Sequence, residues 1–173
     1  MGNLLFSPSG RISKSNFIKG LGIIVLLHAL ITMLGAFNFA AASMLGLLSI
    51  VLLYPLFCLL IKRSHDGGKS GWMSIVWFIL LVIIWFVVSA IMQQMTGGEI
   101  LAEMEELTQA AAEEGDIGAV FAIAKDFAEP LAKKVSIPVG VGRFVALMGG
   151  GFLLNLFIGA DADENQFGDV PSA

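Results

Sequence analysis

The chain has 173 residues, 57% of them hydrophobic and only 14% charged, with a net charge of −4 and a mean hydropathy of +0.85. Soluble domains run at roughly 45–50% apolar and about 25% charged residues, so the composition excludes an ordinary soluble fold and points to the bilayer as solvent. The acidic balance, with no polybasic face, also excludes nucleic acid as a partner.

In chain order, a polar leader carrying Arg11, Lys14 and Lys19 precedes a first apolar run over about 18–37. A second run follows at about 40–61, a third at about 72–92 and a fourth at about 137–159. About 20 apolar residues cross about 30 Å of hydrocarbon as a helix, and backbone groups cannot be left unpaired there. Four transmembrane helices are therefore predicted. The first run is longer than the core of a signal peptide, and the second follows at once. The spacing thus predicts a tight hairpin around Asn38, with no cleavage after Ala40-Ala41-Ala42. Pro55 removes a backbone donor and is expected to bend the second span near Tyr54. Cys58, the single cysteine, has no intrachain partner and reads as a small packing residue. Trp72 suits an interfacial anchor at the start of the third span.

Between the third and fourth spans, about 97–134, lies the one sizeable polar segment. Nine of the fourteen acids fall between Glu99 and Glu129. Thr96 and Glu99 have capping-box spacing. Ile100, Met104, Leu107 and Ala111 then recur at helical intervals. Gly115 marks a stop and Asp116 a new N-cap. Ile117, Val120, Phe121, Ala124 and Phe127 form a second stripe, which Pro130 ends. Two short amphipathic helices lying on the outer face are expected, covering the bundle or docking a partner. The acids lack the pattern of a calcium loop.

The sequence thus predicts an all-α membrane protein: four transmembrane helices plus a short amphipathic helical pair in the outer loop, in a single membrane domain over 1–173. Arg11, Lys14 and Lys19, and then Lys62, Arg63 and Lys69, fall on one side, which the positive-inside rule makes cytoplasmic, with both termini.

Three polar segments converge on that side: Gly10-Arg11-Ile12-Ser13-Lys14, Lys62-Arg63-Ser64-His65-Asp66-Gly67-Gly68-Lys69-Ser70-Gly71-Trp72, and Asn165-Gln166-Phe167-Gly168-Asp169-Val170-Pro171. On these residues the chain resembles the bacterial inner-membrane family of the domain of unknown function 805. Lys62 stands where the family has an arginine, Ser64 where it has a leucine, and the third loop is longer. The resemblance implies an inner-membrane protein with a cytoplasmic motif of Gly10, Arg11, His65, Asp66, Gly71, Trp72, Asn165, Phe167, Gly168 and Pro171, and no known reaction or cofactor. Physically, Gly67 and Gly68 before a helix start suggest an anion nest. With Lys62, Arg63, Lys69 and Ser70 beside it at headgroup depth, an anionic lipid is the candidate ligand. The competing reading is structural, with Asp66 paired to Arg63 or Lys69. Gly68-Lys69-Ser70 resembles the end of a P-loop, but Arg63 holds the position that needs glycine, so nucleotide binding is rejected. His65 and Asp66 are too few for a metal site.

Within the spans, His28, Tyr54 and Asn155 are the candidate interior polar cluster, with Thr32. Arg143 is expected to snorkel outward. Gly142, Ala146 and Gly150 allow close packing on a neighbouring helix or a second copy. The leading expectation is a non-enzymatic membrane component that binds membrane lipids or a protein partner. A small transporter or channel subunit using the interior cluster is the alternative.

Overall fold

The computed structural model describes residues 5–171, and every regular element among them is helical. Helix α1 spans Lys14–Leu34, α2 Phe39–Leu48, α3 Leu53–Asp66, α4 Met73–Glu113 and α5 Ile117–Phe157, with a 3-10 turn, Ser49–Leu52, between α2 and α3. Three helices (α1, α4 and α5) are long and apolar enough to cross a membrane, and the bent pair α2–α3 makes a fourth candidate.

The starts follow from local chemistry. Ser13 caps α1 by accepting from the Asn16 amide, and Asn38 caps α2 by accepting from Ala41, which sets the predicted hairpin. The second span is bent, by 45°, but at the break between Leu47 and Ser49 rather than near Tyr54 as expected. Pro55 has no N–H to give Val51 and its ring crowds that carbonyl, so the preceding turn tightens into the 3-10 segment.

Helix α5 is the central element, packed along both α1 and α4. Its glycines make this possible. A Cβ at Gly140 would fall 3.0 Å from the Ala29 carbonyl oxygen, and one at Gly142 2.8 Å from Met92. A Cβ at Gly151 would overlap Leu21, and one at Gly150 would crowd Ile84. The small-residue stripe is thus occupied within one chain. Phe17, Leu21, Ile24, Leu59, Leu60, Leu81 and Leu154 close the core, with Cys58 buried nearby. Around it the exposed surface is apolar, with Leu26, Leu30, Ile79, Ile83, Phe86, Phe152 and Leu156 all facing out. That inversion is what a lipid solvent allows.

The polar segment after the third span differs from expectation. It is not a pair of short helices lying on the bundle. Helices α4 and α5 run on as two unbroken helices of 41 residues each. At 1.5 Å per residue each is about 60 Å long, twice the hydrocarbon thickness of about 30 Å. The excess forms an antiparallel stalk of roughly 30 Å. Thr96 does not cap anything: its hydroxyl donates back to the Met92 carbonyl inside the helix. Pro130 and Pro138 both lie within α5, where packing on α4 outweighs a loss of about 3 kcal/mol. The reversal at Gly115 is as predicted. Gly115 takes φ +74°, Asp116 N–H returns to the Ala111 carbonyl, and the Asp116 carboxylate caps α5 at Ala119.

Candidate functional site

The C-terminus of α3 is closed by two bonds. Gly68 N–H donates to the His65 carbonyl at 3.0 Å, and Lys69 N–H reaches back to Ser64 at 2.9 Å. Gly68 supplies the left-handed residue this closure needs, at φ +65°. Gly67 N–H also returns to Ser64. The expected anion nest is therefore absent, because these N–H groups close the helix.

The closure delivers Asp66 to the centre of a buried ion triad. Arg63 Nη1 donates to Asp66 Oδ2 at 2.6 Å, and Arg11 Nε donates to Oδ1 at 3.2 Å. The three side chains are 0%, 1% and 3% exposed for Arg63, Arg11 and Asp66. Arg63 then fastens the end of α5. Its Nε donates to Asn155 Oδ1 at 2.5 Å, and its Nη2 to the Asn155 and Ile158 carbonyls at 3.2 and 2.5 Å. A cation there also meets the negative pole of that helix. Asn155 in turn donates to the Lys14 carbonyl at 3.2 Å, at the start of α1.

Arg11 fastens the tail. Its Nη2 donates to the Asp161 carbonyl and its Nη1 to that of Asp163, both at 2.7 Å, with a longer bond to Gly168. Asn165 donates to the His65 carbonyl at 3.0 Å and to Asp161 Oδ2 at 2.7 Å, and its own Oδ1 accepts from Phe167 N–H. The Phe167 ring lies flat on His65, with centroids 3.9 Å apart and planes 3° apart. Because the Gly10 oxygen can only accept, His65 Nδ1, 3.1 Å away, carries its proton. A Cβ on Gly68 would sit 2.6 Å from Asp161 Oδ2, so the tail also needs that glycine.

The sequence motif is thus one knot. Gly10, Arg11, His65, Asp66, Asn165, Phe167 and Gly168 meet in it. Gly71 backs the His65 ring, at the distance of an ordinary Cβ contact. Trp72 stands apart, 79% exposed, and Pro171 ends the described chain, half-buried. The predicted headgroup ligands divide. Arg63 is enclosed and Lys62 is buried and engaged within the chain. Lys69 is half-buried and Ser70 exposed, the latter accepting from Trp72 N–H. Both carboxylate oxygens of Asp66 accept from guanidinium groups, Oδ1 from Arg11 and Oδ2 from Arg63.

The predicted interior cluster is not a cluster. Asn155 belongs to the knot. Tyr54 is 53% exposed and donates to the Phe6 carbonyl. His28 lies elsewhere, against Trp85. Arg143 does not snorkel outward: its Nε donates to Ser89 at 2.6 Å and its Nη1 to Thr32 at 3.2 Å, and the guanidinium lies 5.1 Å from the Trp85 ring centre. Sequence reading misplaced this arginine and missed the carbonyls of Asp161 and Asp163. Only the unusual placement of a cation inside an apolar run signalled the former.

An all-helical chain with several bilayer-length apolar helices and one polar knot across the bundle end defines a multi-pass membrane protein. Within that class it belongs to the family described as "Protein of unknown function (DUF805)", whose sequence model matches residues 5–100. The match takes in Arg11 and the His65-Asp66 loop and stops within α4, so α5 and the tail that complete the knot lie beyond it. No match is found among curated proteins or among solved structures.

Proposed function

We propose that this protein is a non-enzymatic component of a bacterial inner membrane, crossing it four times with both termini in the cytoplasm, and that its cytoplasmic rim rests on anionic lipid headgroups. The observation that carries this reading is the internal use of the motif charges. Arg11, Arg63 and Asp66 spend their bonding capacity on holding three chain segments together. What faces outward around the knot is a ring of Lys14 and Lys19 on α1, the half-exposed Lys69, and Trp72. Exposed lysines and an exposed tryptophan beside the knot suit the headgroup layer.

Six of the ten basic residues lie at the knot end, which supports its cytoplasmic assignment. The bent α2–α3 pair, read as one span, brings the chain back to that side before α4. The lipid site therefore moves from Arg63, as the motif suggested, to the surrounding lysines.

The test is native mass spectrometry of the protein released with phosphatidylglycerol. The variant Lys14→Ala/Lys19→Ala/Lys69→Ala is expected to retain the fold and to lose bound lipid about tenfold or more, at about 1 kcal/mol for each base near the surface. Undiminished lipid on the triple variant would reject the headgroup reading.

A further inference from the structure

Below the stalk, one charged group among the described residues of the bundle, Arg143, serves neither the knot nor the rim. Arg143 sits fourteen residues from the end of α5, about 21 Å along the helix at 1.5 Å per residue. That is about two-thirds of the way across 30 Å of hydrocarbon. Its partners there are neutral: two hydroxyls and the face of Trp85. Among the described residues no carboxylate pairs with it. A cation held in such surroundings with no counter-charge is expensive.

Arg143 also lines a cavity of about 340 Å3 between α1, α2, α4 and α5. The cavity runs from Arg143 past Thr32 and Ser136 toward the α1–α2 turn at Gly35 and Phe39. Three polar groups on its wall make no hydrogen bond among the described residues: Arg143 Nη2, the Ser136 hydroxyl and the His28 ring nitrogens. Gly35 is needed beside Ser136, since a Cβ there would lie 2.5 Å from Ser136 Oγ. An apolar recess shares His28, Trp85 and Arg143 with the cavity and continues along Leu53, Leu56 and Leu147.

We infer that this cavity is an oxyanion-binding site, seating a carboxylate or phosphate on Arg143 with Ser136 and His28 as supporting donors. The cation supplies a charge-assisted bond, and Ser89, Thr32 and Trp85 hold it aimed at the cavity before the ligand arrives. The anion supplies the missing counter-charge. The site is separate from the headgroup rim, at the other end of the bundle. The same chemistry admits two sources: an amphiphile whose headgroup enters the cavity while its chain stays in the surrounding lipid, the apolar recess of about 30 Å3 being too small for it, or a small anion from the aqueous side.

The experiment uses the full chain in neutral detergent, with binding followed by calorimetry. The probes are oleate, inorganic phosphate and, as an uncharged control, oleyl alcohol. Oleate binding marks a lipid-like ligand, and phosphate binding marks a soluble one. Either is expected to weaken at least about tenfold in Arg143→Gln, the scale of one hydrogen bond to a charged group, and to persist in Arg143→Lys. Gly46 lines the cavity and a Cβ there would meet nothing within 4 Å. Gly46→Leu should therefore fill the site and abolish binding while leaving the melting temperature unchanged. Failure of both anions to bind overturns the inference. So does binding that survives Gly46→Leu, or oleyl alcohol binding as well as oleate.

Discussion

Asp66 is the residue on which the knot depends. Among the described residues it is the only acid paired with two buried guanidinium groups. Asp66→Asn keeps the shape and removes the charge, leaving Arg11 and Arg63 buried and uncompensated. The expected loss is about 3–5 kcal/mol, read as a shift in unfolding by denaturing detergent. A loss under 1 kcal/mol would mean that the carbonyls around the arginines suffice. Gly68→Ala is predicted to destabilise by a smaller amount, roughly 1–2 kcal/mol, because φ is +65° and the new methyl meets Asp161. The same unfolding assay ranks the two. The importance of Asp66 and of Gly10-Arg11 was legible in the motif. Asn155 was singled out but assigned to the wrong partners, since its bond to Arg63 spans 92 positions. Arg143 was misread for a similar reason, its partners being 54 and 111 residues away. No local spacing encodes such pairs.

Among the elements, the three long apolar helices and the turns at Asn38 and Gly115 were legible because each rests on neighbouring residues. The stalk was not. Thr96, Glu99 and Pro130 carry local start and stop signals, yet the helices pass through them. The stripe that packs overlaps only in part with the one read from the sequence, Met104, Ala111, Val120 and Phe127 belonging to both. Leu107, Ile117 and Phe121 face outward, while Leu101, Met104, Thr108 and Ala111 on α4 are at least half-buried, as are Val120, Ile123, Phe127 and Leu131 on α5. Those intervals of three and four are a coiled-coil seam, a pattern that shows only once a partner helix is known. Gly97 sits at the base of the stalk, where a Cβ would lie 2.6 Å from Val135. Gly97→Leu should force the helices apart and cost about 1–3 kcal/mol. Glu99→Ala, which breaks the exposed pair with Lys134, should change stability by less than about 1 kcal/mol. Thermal unfolding separates the two, and a reversed order would mean that charge, not packing, holds the stalk.

For the whole molecule, the stalk and the bundle are joined end to end by two helices, and the main core lies in the bundle. Replacing residues 101–130 with a short glycine-containing turn is therefore expected to leave the melting temperature within about 4 °C, equivalent to about 1 kcal/mol for a chain of this size. A collapse of the fold would show that the stalk contributes to the bundle's stability.

The knot also imposes an order on biosynthesis. Residues 161–168 leave the ribosome after α1 to α5, yet they occupy donors of Arg11, whose segment emerges before them. Until the tail arrives, the leader and the α3–α4 loop are held together by the Arg11–Asp66 pair and the His65–Gly10 bond. A nascent chain or one that stops short of Asp161 therefore displays an unlatched, cationic leader at the membrane surface. The tail acts as the closing clasp, and its arrival is the moment at which a finished copy becomes distinguishable from an unfinished one.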